Sequence, residues 1–497
     1  MNSMLKEKFG VKTWKEFLLP KDFKNITKLT LPIFFQILIN VIATIVGSLS
    51  VNWYLIVQHE STGQYVGTYF YAMAKVILVY NLISFIPALV SSGVLIICSN
   101  LIGQKRENEL PIVIWTGVYV NFLIALIFFI AMWFASPILL QAMGSKDSIK
   151  ILDAKGNVLN NSELELTTKY LRCMLFWLFS YSIAQVFAAA LQSIKKNKIA
   201  VIGAIIGNIF AIVWMYTLLF GFGKYNPIML TALDYTLGSV VQLIINYVFC
   251  NHFIFKKNPT SFTQTFNWKY AKQTIMLGTP IALEYGVWSV SQFLISSAVS
   301  KGELGDNYIG MYRALIMITS IITAFNSALG AVTNVLIGIE IGKNDKERAF
   351  HLGWQLFVVG IYFSILSGMI LVALTYPLLK IYQIDTSTIN KIGYWIMFIS
   401  MIRIVVDTAN LTILRALWSS NDIWTPIIIS LFTMMAVQVS LVHIVVDLGF
   451  NHGKGIWDAP TTFVMVFISL ITDPLIRSIV YMDRWNRKTW HKYAKKF

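Results

Sequence analysis

Glu284 lies in a long apolar stretch, four residues after Pro280, in the segment TPIALEYGVWSV. A carboxyl group at the depth of a lipid bilayer costs several kcal/mol unless it is paired or hydrated, so such a residue turns toward protein and marks a functional position by default. As a carboxylate it can bind a cation or a cationic substrate. Burial raises its proton affinity, and alternating between proton and substrate would couple the two. The competing role is a carboxyl locked in a structural hydrogen bond. Arg403 and Asp407 are spaced by four within another apolar stretch, so they project from one helix face and can pair. Asp407 is then either a second acid acting near Glu284 or half of a neutral structural bridge. Asn410, one turn further on, suits a polar cavity contact or a helix–helix hydrogen bond. Gln36, Asn40 and Asn208 could line the amino-terminal half of a cavity or simply pack.

Lys75, Arg172 and Arg313 would favour an anionic cargo such as a lipid-linked phosphate if they lined that cavity. Near the outer ends of their segments they would instead snorkel toward the headgroups. His443 and Asp447 share the spacing of four and could pair at a boundary. A phosphate-binding loop of the GxxxxGK[ST] type is absent, so ATP hydrolysis is not expected. Cys98, Cys173 and Cys250 have no metal or redox spacing and read as small hydrophobes. The chain is therefore not expected to be an enzyme, to bind a metal or to need a cofactor, beyond Na⁺ or H⁺ as transported species. Any work it does draws on an ion gradient or on the gradient of its own substrate.

The elements that must position these residues are transmembrane helices. A chain of 497 residues that is 56% hydrophobic and 13% charged cannot hide its apolar surface in a water-soluble core. Spans of roughly 20 apolar residues fall near 28–57, 68–101, 111–142, 166–192, 199–222 and 228–254, then 275–299, 307–341, 351–378, 388–416, 423–447 and 458–482. Pro32, Pro87 and Pro280 are expected bends. The expected architecture is all-α and polytopic, with about twelve helices in two pseudo-symmetric six-helix lobes around a central cavity. The net charge of +16 follows the loops: Lys and Arg gather in both tails and after even-numbered spans. By the positive-inside rule both termini are cytoplasmic. No single basic patch with interleaved aromatics occurs, which argues against nucleic acid as a partner. The partners expected are the bilayer and a small-molecule substrate, for a monomer in the cell membrane.

Six spans per half make the halves parallel, related by an axis along the membrane normal. Three matches in the same order support a repeat: LTLPIFFQ with LGTPIALE, pairing Pro32 with Pro280; Ile102-Gly103 with Ile341-Gly342; and Leu191-Gln192 with Leu414-Arg415. Their offsets are 248, 239 and 223 residues. The organisation read from this is a basic tail at 1–27, an amino-terminal lobe at 28–254, a linker at 255–274, a carboxy-terminal lobe at 275–482 and a second basic tail at 483–497.

These features together resemble the MATE (multidrug and toxic compound extrusion) family within the superfamily of drug, polysaccharide and lipid-linked oligosaccharide exporters. The resemblance is carried by the Pro-led spans one and seven, by IGQKRENEL and IGKNDKERA, and by LRALWSSNDIWTP, which is similar to the family's Leu-Arg-x-x-Gly-Asp-Thr-x-x-Pro region. It implies an exporter that antiports an organic, cationic and amphiphilic compound against H⁺ or Na⁺ by alternating access. A flippase for a lipid-linked saccharide or another anionic lipid is the alternative within the same superfamily. Trp418 to Asn421 stand where the pattern has a Gly-containing turn. The family's span-one and span-five aspartates are replaced by Ala43 and Ile212. Glu284 matches a position where a subset of members also carries Glu, so the expected coupling acids are Glu284 and Asp407.

Overall fold

In the computed structural model of the chain the described residues are chiefly 22–35, 37–39, 83–142, 158–160, 162–217, 227–259, 265–301, 306–381, 386–450 and 457–494. Gln36, Asn40, Ala43 and Lys75 lie outside them. The chain is helical almost throughout. The helices are α1 (23–35), α2 (Ile86–Gly103), α3 (Leu110–Ala142), α4 (Glu163–Met174), α5 (Trp177–Ser193), α6 (Asn197–Tyr216) and α7 (Pro227–Cys250). They continue as α8 (Trp268–Lys301), α9 (Asp306–Gly342), α10 (Lys346–Ala373), α11 (Tyr394–Ser419), α12 (Trp424–Phe432), α13 (Ser440–Phe450) and α14 (Ala459–Asn486). A small antiparallel hairpin, Ile151–Leu152 with Val158–Asn160, occupies the longer loop of the first half. Insertions collect in such surface connections because nothing packed has to accommodate them.

Among the described residues ten helices are long and apolar enough to cross a membrane. They bury themselves very unequally: 83% of the apolar window of α2 is inside the protein, against 22% for the span built on α3. The outer face of α3 presents Leu123, Ile127, Ile130, Phe134 and Ile138 at helical spacing, all exposed. Such a stripe is stable only where lipid is the solvent.

The chain forms two compact units, one of Met1–Phe34, Ser99–Lys105 and Leu283–Phe497, the other of Phe35–Cys98 and Arg106–Ala282. In the first, α11 packs on α9, α10 and α14. In the second, α7 packs on α5 and α6. The turn 99–105 joins the first unit through two glycines. A Cβ on Gly103 would stand 2.2 Å from the Ile339 carbonyl oxygen, and one on Gly342 would stand 2.2 Å from that of Asn100. The contact is reciprocal, with each glycine three residues beyond the carbonyl that its counterpart meets. That requires a local two-fold relation at an offset of 239 residues, the offset read from the sequence.

The third repeat match is displaced. Asp422 N bonds Leu417 O and Asn421 has φ 66°, while Lys196 N bonds Leu191 O and Lys195 has φ 61°. Leu191 therefore answers Leu417, not Leu414. A slip of three residues nearly preserves a helix face, so apolar matching alone did not register it. Asn421 takes the left-handed position at which the family pattern has Gly, a conformation Asn tolerates better than most residues.

Proline placement also differs from expectation. Pro87 lies in the first turn of α2, where its missing N–H costs no helical bond. Pro280 is inside α8, but Pro137 in α3 and Pro474 in α14 are inside helices too. A proline frees the carbonyl four residues before it, and here both freed groups are answered. Leu470 O accepts from Gln438 Nε2 at 3.1 Å. Trp133 O accepts from Arg172 Nε at 3.1 Å and from Ser136 Oγ at 3.0 Å. The Arg172 guanidinium also lies 5.0 Å from the Trp133 ring centroid.

The basic carboxy-terminal segment folds back on α10. Trp490 is fully buried and stacks on Trp485 at 4.5 Å, Lys346 Nζ donates to His491 O at 2.9 Å, and Lys488 pairs with Glu347 at 2.7 Å. Burial, with Lys346 and Lys488 nearby, holds the His491 imidazole below its ordinary pKa.

The proline–glutamine pairing is testable by a double-mutant cycle. Gln438→Leu is expected to destabilise the detergent-solubilised protein by about 1–3 kcal/mol, the cost of an orphaned buried carbonyl. In a Pro474→Ala background, where the Ala N–H can reach Leu470 O, most of that loss should disappear. Equal losses in both backgrounds would show that Gln438 does not act through this carbonyl.

Candidate functional site

Glu284 occupies the interior of the carboxy-terminal unit, on α8, and it is not alone. Arg477 on α14 donates from Nη1 to Glu284 Oε1 at 3.1 Å and from Nη2 to Asp473 Oδ2 at 2.5 Å. Asp473 and Arg477 stand four residues apart on one helix face, around Pro474. All three side chains are more than nine-tenths buried, with residue exposures of 6% for Glu284, 2% for Asp473 and 3% for Arg477. The polar contacts continue into α12, where Ser430 Oγ donates to Glu284 Oε1 at 3.1 Å. Tyr481 OH lies 2.8 Å from that Oγ and donates to Pro426 O at 2.7 Å. Arg415 on α11 is an electrostatic neighbour of Glu284, but its Nη2 donates to Tyr285 OH at 2.6 Å and its guanidinium lies 4.6 Å from the Trp418 ring centroid.

This geometry assigns each partner a task. The planar guanidinium presents two parallel donors and so can hold two carboxylates at once, which a lysine ammonium could not do with the same directionality. Each carboxylate receives only one of those donors. Glu284 Oε2, Asp473 Oδ1 and Arg477 Nε meet no hydrogen-bond partner. Two carboxylates share one fixed positive charge.

Asp407 and Arg403 are half-buried on α11 and do not form the ion pair that their spacing allows. Sharing a helix face allows pairing without compelling it. Both side chains turn to a cavity of about 40 Å³, which they line with Thr319, Thr323 and Ser400 against an apolar wall. That volume holds a few waters or a small ion, far below the several hundred Å³ of a drug-sized site. Ser400 Oγ is buried there without a partner. The charged neighbours of Asp407 are Arg403, Arg477 and Asp473, so the two acids singled out in the sequence are electrostatically connected through the α14 pair.

Of the remaining sequence candidates, Asn410 stays beside Asp407, one turn further along α11. Asn410 is fully buried, but its amide makes no hydrogen bond to another helix. The interhelical bond nearby is made by Asn326 Oδ1, which accepts from Thr408 Oγ1 at 3.0 Å. Asn208 donates to Ala204 O at 2.9 Å on its own helix, α6, in the other unit. His443 Nδ1 bonds Val439 O at 2.9 Å, not Asp447, which is exposed. Gln36 and Asn40 fall outside the described residues. Asp473 and Arg477 were overlooked, although the signal was the one that singled out Arg403 and Asp407: opposite charges spaced by four inside an apolar span. In the second unit Asp234 on α7 is a further buried acid, near Tyr80, and was likewise not singled out. Cys98, Cys173 and Cys250 are free, and no cluster of metal-ligating side chains occurs among the described residues.

Comparison with known proteins gives this arrangement a family. The MatE family model matches residues 43–217 and 280–444. An uncharacterized transporter, YisQ of Bacillus subtilis, is 22% identical over 417 residues, covering 83% of this chain and 85% of that protein. A probable multidrug resistance protein NorM of Oceanobacillus iheyensis is 22% identical over 379 residues, covering 73% and 78%. Among solved structures, the outward-facing conformation of a multidrug resistance MATE family transporter of the MOP superfamily superposes with a TM-score of 0.77 at 15% identity, over 96% of this chain and 98% of that one. A MOP superfamily transporter from Pyrococcus furiosus, described by the reverse polarity of its binding pocket, superposes at 0.72 with 15% identity over 97% and 98%. With the family model matched across two long stretches and the fold shared over nearly the whole length, the chain belongs to the MatE family of multi-pass membrane transporters and is not an enzyme.

Proposed function

We propose that this MATE-family efflux transporter is a secondary active antiporter that exports organic, cationic and amphiphilic compounds in exchange for H⁺ or Na⁺, with Glu284 as the coupling acid and Asp407 as its auxiliary. The observation that carries the reading is the burial of Glu284 inside a charged network, where gain of a proton or ion changes the local charge balance most strongly. The absence of a phosphate-binding loop in the sequence leaves an ion gradient or the substrate's own gradient as the energy source, and an antiporter uses the first. Several relatives are named as probable multidrug resistance proteins, and solved MATE structures include complexes with MaL6 and with Br-NRF. The distribution of Lys and Arg supports cytoplasmic termini, and we take the chain to work as a monomer in the cell membrane.

The flippase alternative drew on three bases. Arg172 is committed to Trp133 O and the Trp133 ring, which weakens its candidacy as a headgroup ligand. Lys75 and the side chain of Arg313 lie outside the described residues.

Reconstituted vesicles given several cationic dyes under separate proton and sodium gradients should move dye under at least one gradient. Glu284→Gln should abolish gradient-driven movement without changing the amount of protein inserted, and unchanged export would remove Glu284 from the mechanism. Absence of dye movement under either gradient would favour the flippase. Arg172→Met should lower thermal stability while leaving the dye affinity of the surviving folded protein near wild type. A change of tenfold or more in that affinity would return Arg172 to the cavity.

A further inference from the structure

We infer that Asp473 and Arg477 are working parts of the ion site, and that their cluster with Glu284 takes up one monovalent cation, H⁺ or Na⁺, at Glu284 Oε2 and Asp473 Oδ1. The inference rests on the antiporter reading only for what the ion drives; the site itself stands on the geometry. Arg477 gives one nitrogen to each carboxylate, and the second oxygen of each is buried without a partner. With both acids ionised, the three side chains hold one negative charge in excess of the guanidinium. A residual charge in a membrane interior is expensive, and so is a buried lone pair with no donor. One monovalent cation removes both penalties together. A divalent ion would overshoot the charge, and side chains this closely buried leave no room for an organic cation.

The other groups facing the cluster do not replace that ion. The one Ser430 hydrogen has Glu284 Oε1 and Pro426 O both at 3.1 Å, and Tyr481 OH donates to Pro426 O, so neither hydroxyl answers Glu284 Oε2 or Asp473 Oδ1. Arg415 is half-buried and adds positive charge near Glu284, but its hydrogen bond goes to the Tyr285 hydroxyl and gives the free oxygens no donor, while Arg403 and Asp407, of opposite sign, line the small cavity on α11. The arrangement also gives ion binding a mechanical consequence. Arg477 ties α14 to α8 through Glu284, and a proton or Na⁺ on Glu284 answers the charge that the Nη1 contact answers otherwise. Uptake of the ion therefore loosens α8 from α14, while Asp473 keeps Arg477 on its own helix.

Purified full-length protein in nanodiscs tests this by ²²Na⁺ binding at high pH, and by thermal stability followed over a pH series without Na⁺. Wild type should bind one Na⁺ or take up one proton in a saturable step. Asp473→Asn should weaken that step by roughly tenfold or more, and Asp473→Glu should keep the step with a displaced midpoint. The Glu variant also serves as the readout if the Asn variant fails to fold. A wild-type response retained unchanged in either variant, or no cation response in wild type, would overturn the site. Dye export is scored separately. Export unaffected by Asp473→Asn overturns this inference and leaves the antiporter, whereas cation uptake dependent on Asp473 in a protein that moves no dye supports the site and removes the antiporter.

Discussion

Arg477 is held by a carboxylate on its own helix and another on α8, and the packing of the carboxy-terminal unit has to keep that arrangement intact. Removing one member of a buried ion pair costs about 3–5 kcal/mol, because the partner is left charged in a medium that cannot solvate it. The register of α14 against α8 is consequently set by the reach of the guanidinium as well as by apolar contact, and Ser430 brings α12 to the same point. Apolar packing alone would tolerate helices sliding by a turn. The ion pairs do not.

The same demand, that no polar group in the spans be left unanswered, explains residues that look functional and are structural. Arg172 and Gln438 sit within apolar surroundings and would each qualify as cavity residues. They instead answer carbonyls that Pro137 and Pro474 have freed. Bends or breaks in a spanning helix are tolerated when a neighbouring helix supplies the missing donor. The charged carboxylates of Glu284 and Asp473 differ from these in each having one oxygen left over.

The reciprocal crossing of Gly103 and Gly342 shows what the internal repeat does physically. Two copies of one helix end meet across a local two-fold relation, and the meeting is close enough that neither can carry a Cβ. Both glycines are therefore required by the crossing itself, independently of turn conformation. The duplicated motif is in this respect an interface with itself. The charges around the later turns, by contrast, have diverged: Lys195 and Asn421 share a left-handed backbone conformation and no side-chain chemistry.

Amino-acid composition determined the solvent and the element type, because lipid admits continuous helices at such lengths and little else. It also exposed Glu284 and Asp407, since a charge in an apolar run is conspicuous without any knowledge of its neighbours. The same reading could have reached Asp473 and Arg477, whose spacing was equally visible. What could not be read there was the pairing: whether Arg403 would hold Asp407, or Asn410 bridge two helices, depends on rotamers and on helices distant in the chain, and the sequence left both alternatives open. Nor did apolar periodicity separate Leu414 from Leu417 as the counterpart of Leu191, because residues three apart share a face. Only the tertiary structure brings Glu284 onto α14, 193 residues away, since the direction of a charged side chain in a buried place is decided by where its counter-charge stands.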